Sequence, residues 1–405
     1  MTGRGAVPMA PTTAGRFPVA LALFAAVFFE GVMLAAIGPT LDALADQSGS
    51  TLGRISILFT ANSLGYIVGS LAAGRAFARA AGNTVLPIAL VVMAALTATI
   101  PLLGSLWLLM AVLAGIGVAI GFVDVGGNTL IVWLYRSDVP PYMNALHLSF
   151  GVGAFLSPLV IDRFAVAFGD ATSAFWLFAG LMLPVAAWLR RRPTPHQPDT
   201  AATASGGMAV VRRHALLIGL LAMLFFMHVG AELAFGGWIF SYADEVGIGP
   251  ATTARVLNSA FWGGLVIGRL LAIPLSLRLE PASMLQFDLV GAVASLGVIA
   301  FFGDWSPSLW IGTVGFGVSI ASMFASCINY AGERMPITSE VTAVFLVGGS
   351  LGSMSLPWLV GQLFEDRGPE SMIYVVGSAV VLGLVVFGAI RAYAGRRHPA
   401  ATSDG

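Results

Sequence analysis

Hydrophobic residues recur along the chain in runs of about 20, separated by short polar or Pro- and Gly-rich segments. A run of this length suits an α-helix that crosses the hydrocarbon core of a bilayer, because each residue adds about 1.5 Å. The pattern predicts an all-α integral membrane protein with polar tails at 1–16 and 393–405 and a polar linker at 190–213. The twelve predicted spans, in order, are 17–38, 54–77, 84–103, 106–134, 142–167, 171–189, 215–241, 255–277, 283–303, 307–331, 341–363 and 371–392.

The two halves of the chain carry similar glycine and proline patterns when one is shifted by about 199 residues. Gly65 then matches Gly264, and the segment from Gly153 to Pro158 matches the segment from Gly352 to Pro357. Six spans per half give both halves the same orientation in the membrane, so the repeat is parallel. The sequence therefore predicts two six-helix bundles, at 17–189 and 214–392, joined by a cytoplasmic linker.

Charge is scarce and unevenly placed. Only 10% of residues are charged, all 20 basic residues are arginines, and the net charge is zero, so nothing indicates nucleic-acid binding. With the N-terminus inside, Arg54, Arg163, Arg255 and Arg367 fall outside and the other sixteen of the 20 fall on the cytoplasmic side. This asymmetry predicts an inner-membrane protein with both termini in the cytoplasm.

Two carboxylates interrupt the apolar runs of the first half. Counted along the helices, Glu30 lies about 20 Å and Asp124 about 15 Å from the cytoplasmic end of its span. Asn128 follows Asp124 by four residues and shares its helix face. Ionisable side chains at membrane depth are costly and face the bundle interior for functional reasons. We expect Glu30 and Asp124 to bind a coupling ion, either a proton or sodium.

The other polar residues inside the spans predict a solute site between the halves. Its candidates are Asn62, Asn128, His147, His228, Glu232, Trp238, Trp262 and Asn329. Amide and carboxylate groups fix hydroxyls, and aromatic rings stack on apolar sugar faces. His228 precedes Glu232 by four residues, so it is either a solute ligand or only the hydrogen-bond partner of Glu232. The amides and Trp262 have the alternative of holding helices together. The sequence contains no cluster of Cys or His residues, so a metal site is not expected.

Two six-helix halves joined by a cytoplasmic linker resemble the major facilitator superfamily over the whole chain. The superfamily's signature between the second and third helices runs Gly-x-Leu-x-Asp-Arg-x-Gly-Arg-Arg, and the segment from Gly74 to Gly82 is a degraded form of it. Arg79 is kept, but Ala78 stands at the acidic position. We expect Arg79 and its counterpart Arg269 to act at the gates. Arg269 has the alternative role of a cation in the solute site.

Within the superfamily, the motifs around Asp124–Asn128 and Asn144–Phe150 resemble the fucose:proton symporters and the sodium-dependent glucose transporters. In that resemblance, Asp124 is the carboxylate of the fourth helix, Asn128 its partner and Glu30 the carboxylate of the first helix. His147 stands where a sugar-binding Gln is expected. The segment from Gly230 to Trp238 resembles the seventh helix of the glucose branch.

The resemblance implies a monomeric transporter, without cofactors, that moves a small polar solute, a sugar, with a proton or sodium ion. Proton-driven efflux of drugs or metabolites is the alternative within transport. A non-transporting membrane sensor is the alternative outside it. An enzyme is not expected, because no set of nucleophile, base and orienting group occurs at membrane depth.

Overall fold

The computed structural model describes residues 13–136, 138–195, 207–303 and 305–397, and these form twelve helices long and apolar enough to cross a membrane. We number them α1 to α12. In the first half they are α1 (Arg16–Ser48), α2 (Leu52–Phe77), α3 (Gly82–Leu102), α4 (Leu106–Tyr135), α5 (Val139–Phe168) and α6 (Ala171–Arg190). In the second half they are α7 (Ala215–Glu245), α8 (Ala251–Ser276), α9 (Pro281–Phe302), α10 (Ser306–Gly332), α11 (Ser339–Arg367) and α12 (Ser371–Tyr393). The predicted all-α fold with twelve spans is confirmed.

The two halves pack their helices in the same pairs. In the first half α1 packs on α5, α2 on α4 and α3 on α6, and in the second half α7 packs on α11, α8 on α10 and α9 on α12. Between the halves, α5 meets α8, α2 meets α11 and α1 meets α7. This set of contacts is unchanged when the halves are exchanged, as a parallel repeat requires.

Repeat-matched glycines lie at the closest helix contacts. A Cβ added to Gly153 in α5 would collide with the carbonyl oxygen of Phe28 in α1, and one added to Gly352 in α11 would collide with that of Phe226 in α7. Without a side chain, the two backbones approach closely, which is how helices gain packing in lipid. The glycine pattern found in the sequence thus marks the α1/α5 and α7/α11 seams.

Helix α1 is longer than predicted. The sequence suggested an end near residue 38, where Gly38 and Pro39 follow each other, but the helix continues to Ser48. Pro39 removes one backbone hydrogen-bond donor from the helix. The helix nevertheless continues, because the residues on either side of Pro39 make stabilising contacts. Gly38 lies against the carbonyl oxygens of Gly236 and Gly237 in α7, and the Thr40 hydroxyl donates to the Ala36 carbonyl at 2.7 Å.

The linker predicted at 190–213 is described at both of its ends. A short helix at Gly207–Arg213 packs against α11 and precedes α7, and 196–206 lie outside the described residues.

Helix α10 is interrupted between Ile320 and Met323.

Candidate functional site

A cavity of about 230 Å³ lies between the two halves, bordered by α1, α2, α4 and α5 on one side and α7, α8, α10 and α11 on the other. Ligand pockets for drug-sized molecules span about 300–1,000 Å³, so this cavity suits a smaller molecule. Most of its wall is apolar, and the aromatic side chains that line it are Phe59, Tyr66, Phe150, Phe225, Trp262, Phe324 and Phe345.

Three residues that border this cavity each carry a buried polar atom with no hydrogen-bond partner among the described residues. These atoms are Oε2 of Glu30, Nδ2 of Asn62 and Nε1 of Trp262. Most buried polar groups in proteins are hydrogen-bonded, because an unmet buried donor or acceptor costs about 1–3 kcal/mol. One acceptor and two donors are therefore available to a polar ligand in the cavity. All three residues are among the candidates predicted from sequence.

Asp124 and Asn128 lie one helix turn apart behind the cavity wall and do not border the cavity. Both oxygens of the Asp124 carboxylate are occupied: Oδ2 accepts from the Tyr66 hydroxyl at 2.6 Å, and Oδ1 accepts from Nδ2 of Asn128 at 2.7 Å. The Asn128 amide is thus engaged by Asp124 instead of facing a solute. Tyr66, which sequence reasoning missed, borders the cavity and connects it to Asp124.

Glu232 brings a second carboxylate to the cavity, from the opposite half to Glu30. Nε2 of His228 lies 3.7 Å from Oε2 of Glu232, and Nδ1 of His228 has no partner among the described residues. His228 itself is buried beside the cavity wall instead of forming it.

Arg269 in α8 reaches across to the first half. Its Nη1 donates to the His147 carbonyl oxygen at 3.3 Å, and its guanidinium lies 5.7 Å from the centre of the Phe150 ring. Its positive charge also acts on Glu232, His228 and the His147 ring. Arg269 therefore bridges α8 and α5 next to the cavity, a position compatible with either role considered from sequence, gate or cation of the solute site.

The remaining candidates lie away from the cavity. Trp238, expected to stack on a solute, is fully buried; its Nε1 donates to the Pro357 carbonyl oxygen at 2.9 Å, and its ring packs beside Phe364. The reason is helical geometry: six residues separate Trp238 from Glu232, which is about 240° of rotation, so the two side chains leave α7 on different faces. The side chains of His147, Asn329 and Arg79 are exposed and do not border the cavity.

Polar contacts between the halves concentrate at the end of the bundle opposite the termini. Nη1 of Arg255 in α8 lies 3.4 Å from Oδ1 of Asp162 in α5, and the Ser241 hydroxyl of α7 donates to Asp42 of α1 at 3.2 Å. In the same region, Oε2 of Glu365 in α11 accepts from the backbone N–H of Gly53 at 2.9 Å. These contacts close one end of the molecule. Sequence reasoning missed them, because each pairs residues from different halves.

Twelve helices in two matched halves around a central cavity are the architecture of a membrane transporter for small solutes. A model of the Major Facilitator Superfamily matches residues 23–346, and the chain belongs to this superfamily.

Similar proteins include sodium-dependent glucose transporters. The chain is 31% identical to sodium-dependent glucose transporter 1 of Xenopus laevis over 360 residues, which cover 82% of this chain and 72% of that protein. It is 29% identical to sodium-dependent glucose transporter 1A of Mus musculus over 404 residues, covering 90% and 94%. Among solved structures, the nucleoside transporter NupG superposes with a TM-score of 0.73 at 14% identity, covering 93% of this chain and 98% of that one, and so shares the fold.

Proposed function

We propose that this transporter moves a small polar solute, a sugar, together with a cation by alternating access. The observation that carries the proposal is the cavity between the halves, where Glu30, Asn62 and Trp262 present an unmet acceptor and two unmet donors. A sugar hydroxyl both donates and accepts, so one ligand satisfies all three groups. The aromatic wall offers stacking surfaces for the apolar faces of a sugar ring. The names of the glucose-transporting relatives support the same solute class.

We propose that the solute crosses with a cation, a proton or sodium, because three carboxylates lie at or directly behind the cavity. Glu30 and Glu232 both border the cavity, and Asp124 lies directly behind it. Closing a dry cavity around uncompensated carboxylates costs several kcal/mol per charge, so the closed, loaded state becomes accessible when a cation neutralises one of them. Solute and cation then cross together.

We further propose that the protein acts as a monomer in the inner membrane with both termini in the cytoplasm. The whole cavity is built by one chain, and the arginine asymmetry supports this orientation. Reporter fusions after Arg213 and after Arg397 then both report cytoplasm, and a periplasmic signal from either contradicts the topology.

Uptake into proteoliposomes tests the function. Purified protein is expected to accumulate labelled D-glucose when an inward sodium or proton gradient is imposed, and accumulation collapses when the gradient is dissipated. Glu30→Gln is expected to lose this accumulation. Its matched control is Asp288→Asn, because Asp288 is a carboxylate of α9 that accepts from Ser322 and does not border the cavity. If the wild-type protein accumulates none of the sugars tested under either gradient, the proposal is contradicted.

Proton-driven efflux of drugs, here lipophilic cations, is the second candidate, and the aromatic wall with two carboxylates favours it. Aromatic faces and carboxylates together attract organic cations. Export of tetraphenylphosphonium from inverted vesicles, with no response to sugars, supports this candidate over the first.

A further inference from the structure

Tyr66 is the direct link between the central cavity and the buried Asp124. Its side chain borders the cavity, while its hydroxyl donates to Oδ2 of Asp124 at 2.6 Å. The neighbouring Gly65 lets α2 lie directly against the Ala114 carbonyl of α4, which brings Tyr66 close to α4. Tyr66 therefore contacts Asp124 on one side and borders the cavity on the other.

We propose that Tyr66 couples cation binding to solute binding by changing from a hydrogen-bond donor toward Asp124 into a donor toward the solute. This inference rests on the proposed function and adds to it a coupling residue that contacts the solute. While Asp124 is ionised, its charge holds the tyrosine hydrogen, so only the lone pairs of the phenol oxygen face the cavity.

Cation binding at Asp124 releases that hydrogen. A proton from solution that bonds to Oδ2 makes the carboxyl group a donor toward the Tyr66 oxygen, and the Tyr66 O–H then turns away. The new O–H bond of the acid is the only covalent bond formed, and the Tyr66 hydrogen bond to Oδ2 is the one that is lost. A sodium ion on the same oxygen neutralises the charge and competes for the lone pairs that the tyrosine used. In either case the cavity gains a donor for a solute oxygen, and the solute binds more tightly when the cation is present.

The surroundings of Asp124 are compatible with this switch. Asn128 on α4 donates to its other oxygen, and Glu30 on α1 is the ionisable group on which the charge of Asp124 acts. Among the described residues, no cationic side chain forms an ion pair with Asp124. A cation at Asp124 thus competes mainly with the hydrogen of Tyr66.

The first test uses cations alone. Melting temperatures of purified protein are recorded against sodium concentration at fixed pH and against pH without sodium. Tyr66→Phe removes a hydrogen bond that favours ionised Asp124, so the half-maximal cation concentration is expected to fall about tenfold. In an Asp124→Asn background the same substitution leaves the titration unchanged. If Tyr66 had only a packing role, its substitution would not tighten cation binding. Tyr374→Phe is the matched control, because Tyr374 is an exposed tyrosine on α12.

The second test adds D-glucose. Wild-type protein is expected to bind it at least tenfold more tightly at saturating cation than without cation. Tyr66→Phe binds it equally in both conditions. A Tyr66→Phe protein with unchanged or weaker cation affinity, or with glucose binding that still depends on the cation, overturns this inference and leaves the proposed function standing. A wild-type protein that responds to neither sodium nor protons overturns the proposed function and this inference with it.

Discussion

Arg255 of α8 and Asp162 of α5 form an ion pair across the two halves, with Nη1 3.4 Å from Oδ1. Only 13% of the Arg255 side chain and 3% of the Asp162 side chain are exposed, and the guanidinium also lies 5.2 Å from the centre of the Phe240 ring. A buried pair of this kind forms only when the two halves meet at this end. The proposed alternating access requires the halves to part there, and in that proposal the pair is broken and hydrated during each transport cycle.

Asp162→Asn is therefore expected to favour the state that is open at this end. Removing one partner of a buried pair leaves an uncompensated charge, at a cost of about 3–5 kcal/mol to the closed state. Spin labels at the exposed positions Asp46 and Asp366 report the separation of α1 and α11. We expect a larger population of long distances in the variant. Arg163→Gln changes the exposed neighbouring residue and is the control; equal distance distributions in all three proteins contradict the gate.

Trp238 and Trp262 are predicted to respond oppositely to substitution by Phe. Trp238→Phe deletes the donor to the Pro357 carbonyl and is expected to lower stability by about 1–3 kcal/mol without changing sugar affinity. Trp262→Phe removes an indole N–H that has no partner among the described residues, so the fold loses no hydrogen bond and sugar affinity falls. Melting temperatures and glucose binding measured on both variants check this. A stable Trp238→Phe protein with weakened binding contradicts the assignment of the two residues.

Gly153→Ala is expected to destabilise the first half. Its new Cβ collides with the Phe28 carbonyl oxygen, and neither backbone can yield without separating α1 and α5. Overpacking costs about 1–3 kcal/mol, seen as a lower melting temperature in detergent. Gly180→Ala in α6 is the control, since nothing lies within 4 Å of its added Cβ. Equal melting temperatures for the two variants argue against the close helix contact.

Glu232→Gln is expected to weaken sugar binding by about tenfold or more, because hydrogen bonds to a charged acceptor contribute about 1.5–3 kcal/mol. Glu245→Gln, at the exposed end of the same helix, is the control. If both proteins bind glucose as the wild type does, Glu232 has a packing role only.

Sequence patterns were sufficient for the elements and for part of the site. Apolar runs of membrane length predict the bounds of all twelve spans within a few residues, apart from the end of α1. There the helix continues beyond Pro39, next to the contact of Gly38 with Gly236 and Gly237 of α7. Glu30, Asn62 and Trp262, which border the cavity, are candidates from sequence because polar groups inside apolar runs are costly unless they have a partner or a function.

The remaining site residues depend on tertiary geometry. Tyrosine has a largely apolar side chain, so Tyr66 does not stand out in a hydrophobic helix. Only the packing of α2 on α4 brings its hydroxyl to Asp124. Asp162 and Arg255 are 93 positions apart, and their pairing depends on how the two halves meet. For Trp238 the residue type suggests sugar stacking. Its spacing of six residues from Glu232, however, places the two side chains on different faces of the helix.

The central claim, that carboxylates at the cavity couple a cation to a solute, is tested most directly by comparing two transport modes in Glu30→Gln proteoliposomes. Glutamine imitates the neutral carboxyl, so the cavity closes around a solute without the cation. We expect Glu30→Gln to exchange labelled for unlabelled glucose across the membrane and no longer to accumulate it against a gradient, and we expect the same of Asp124→Asn. Uphill accumulation by both variants at the wild-type level contradicts it.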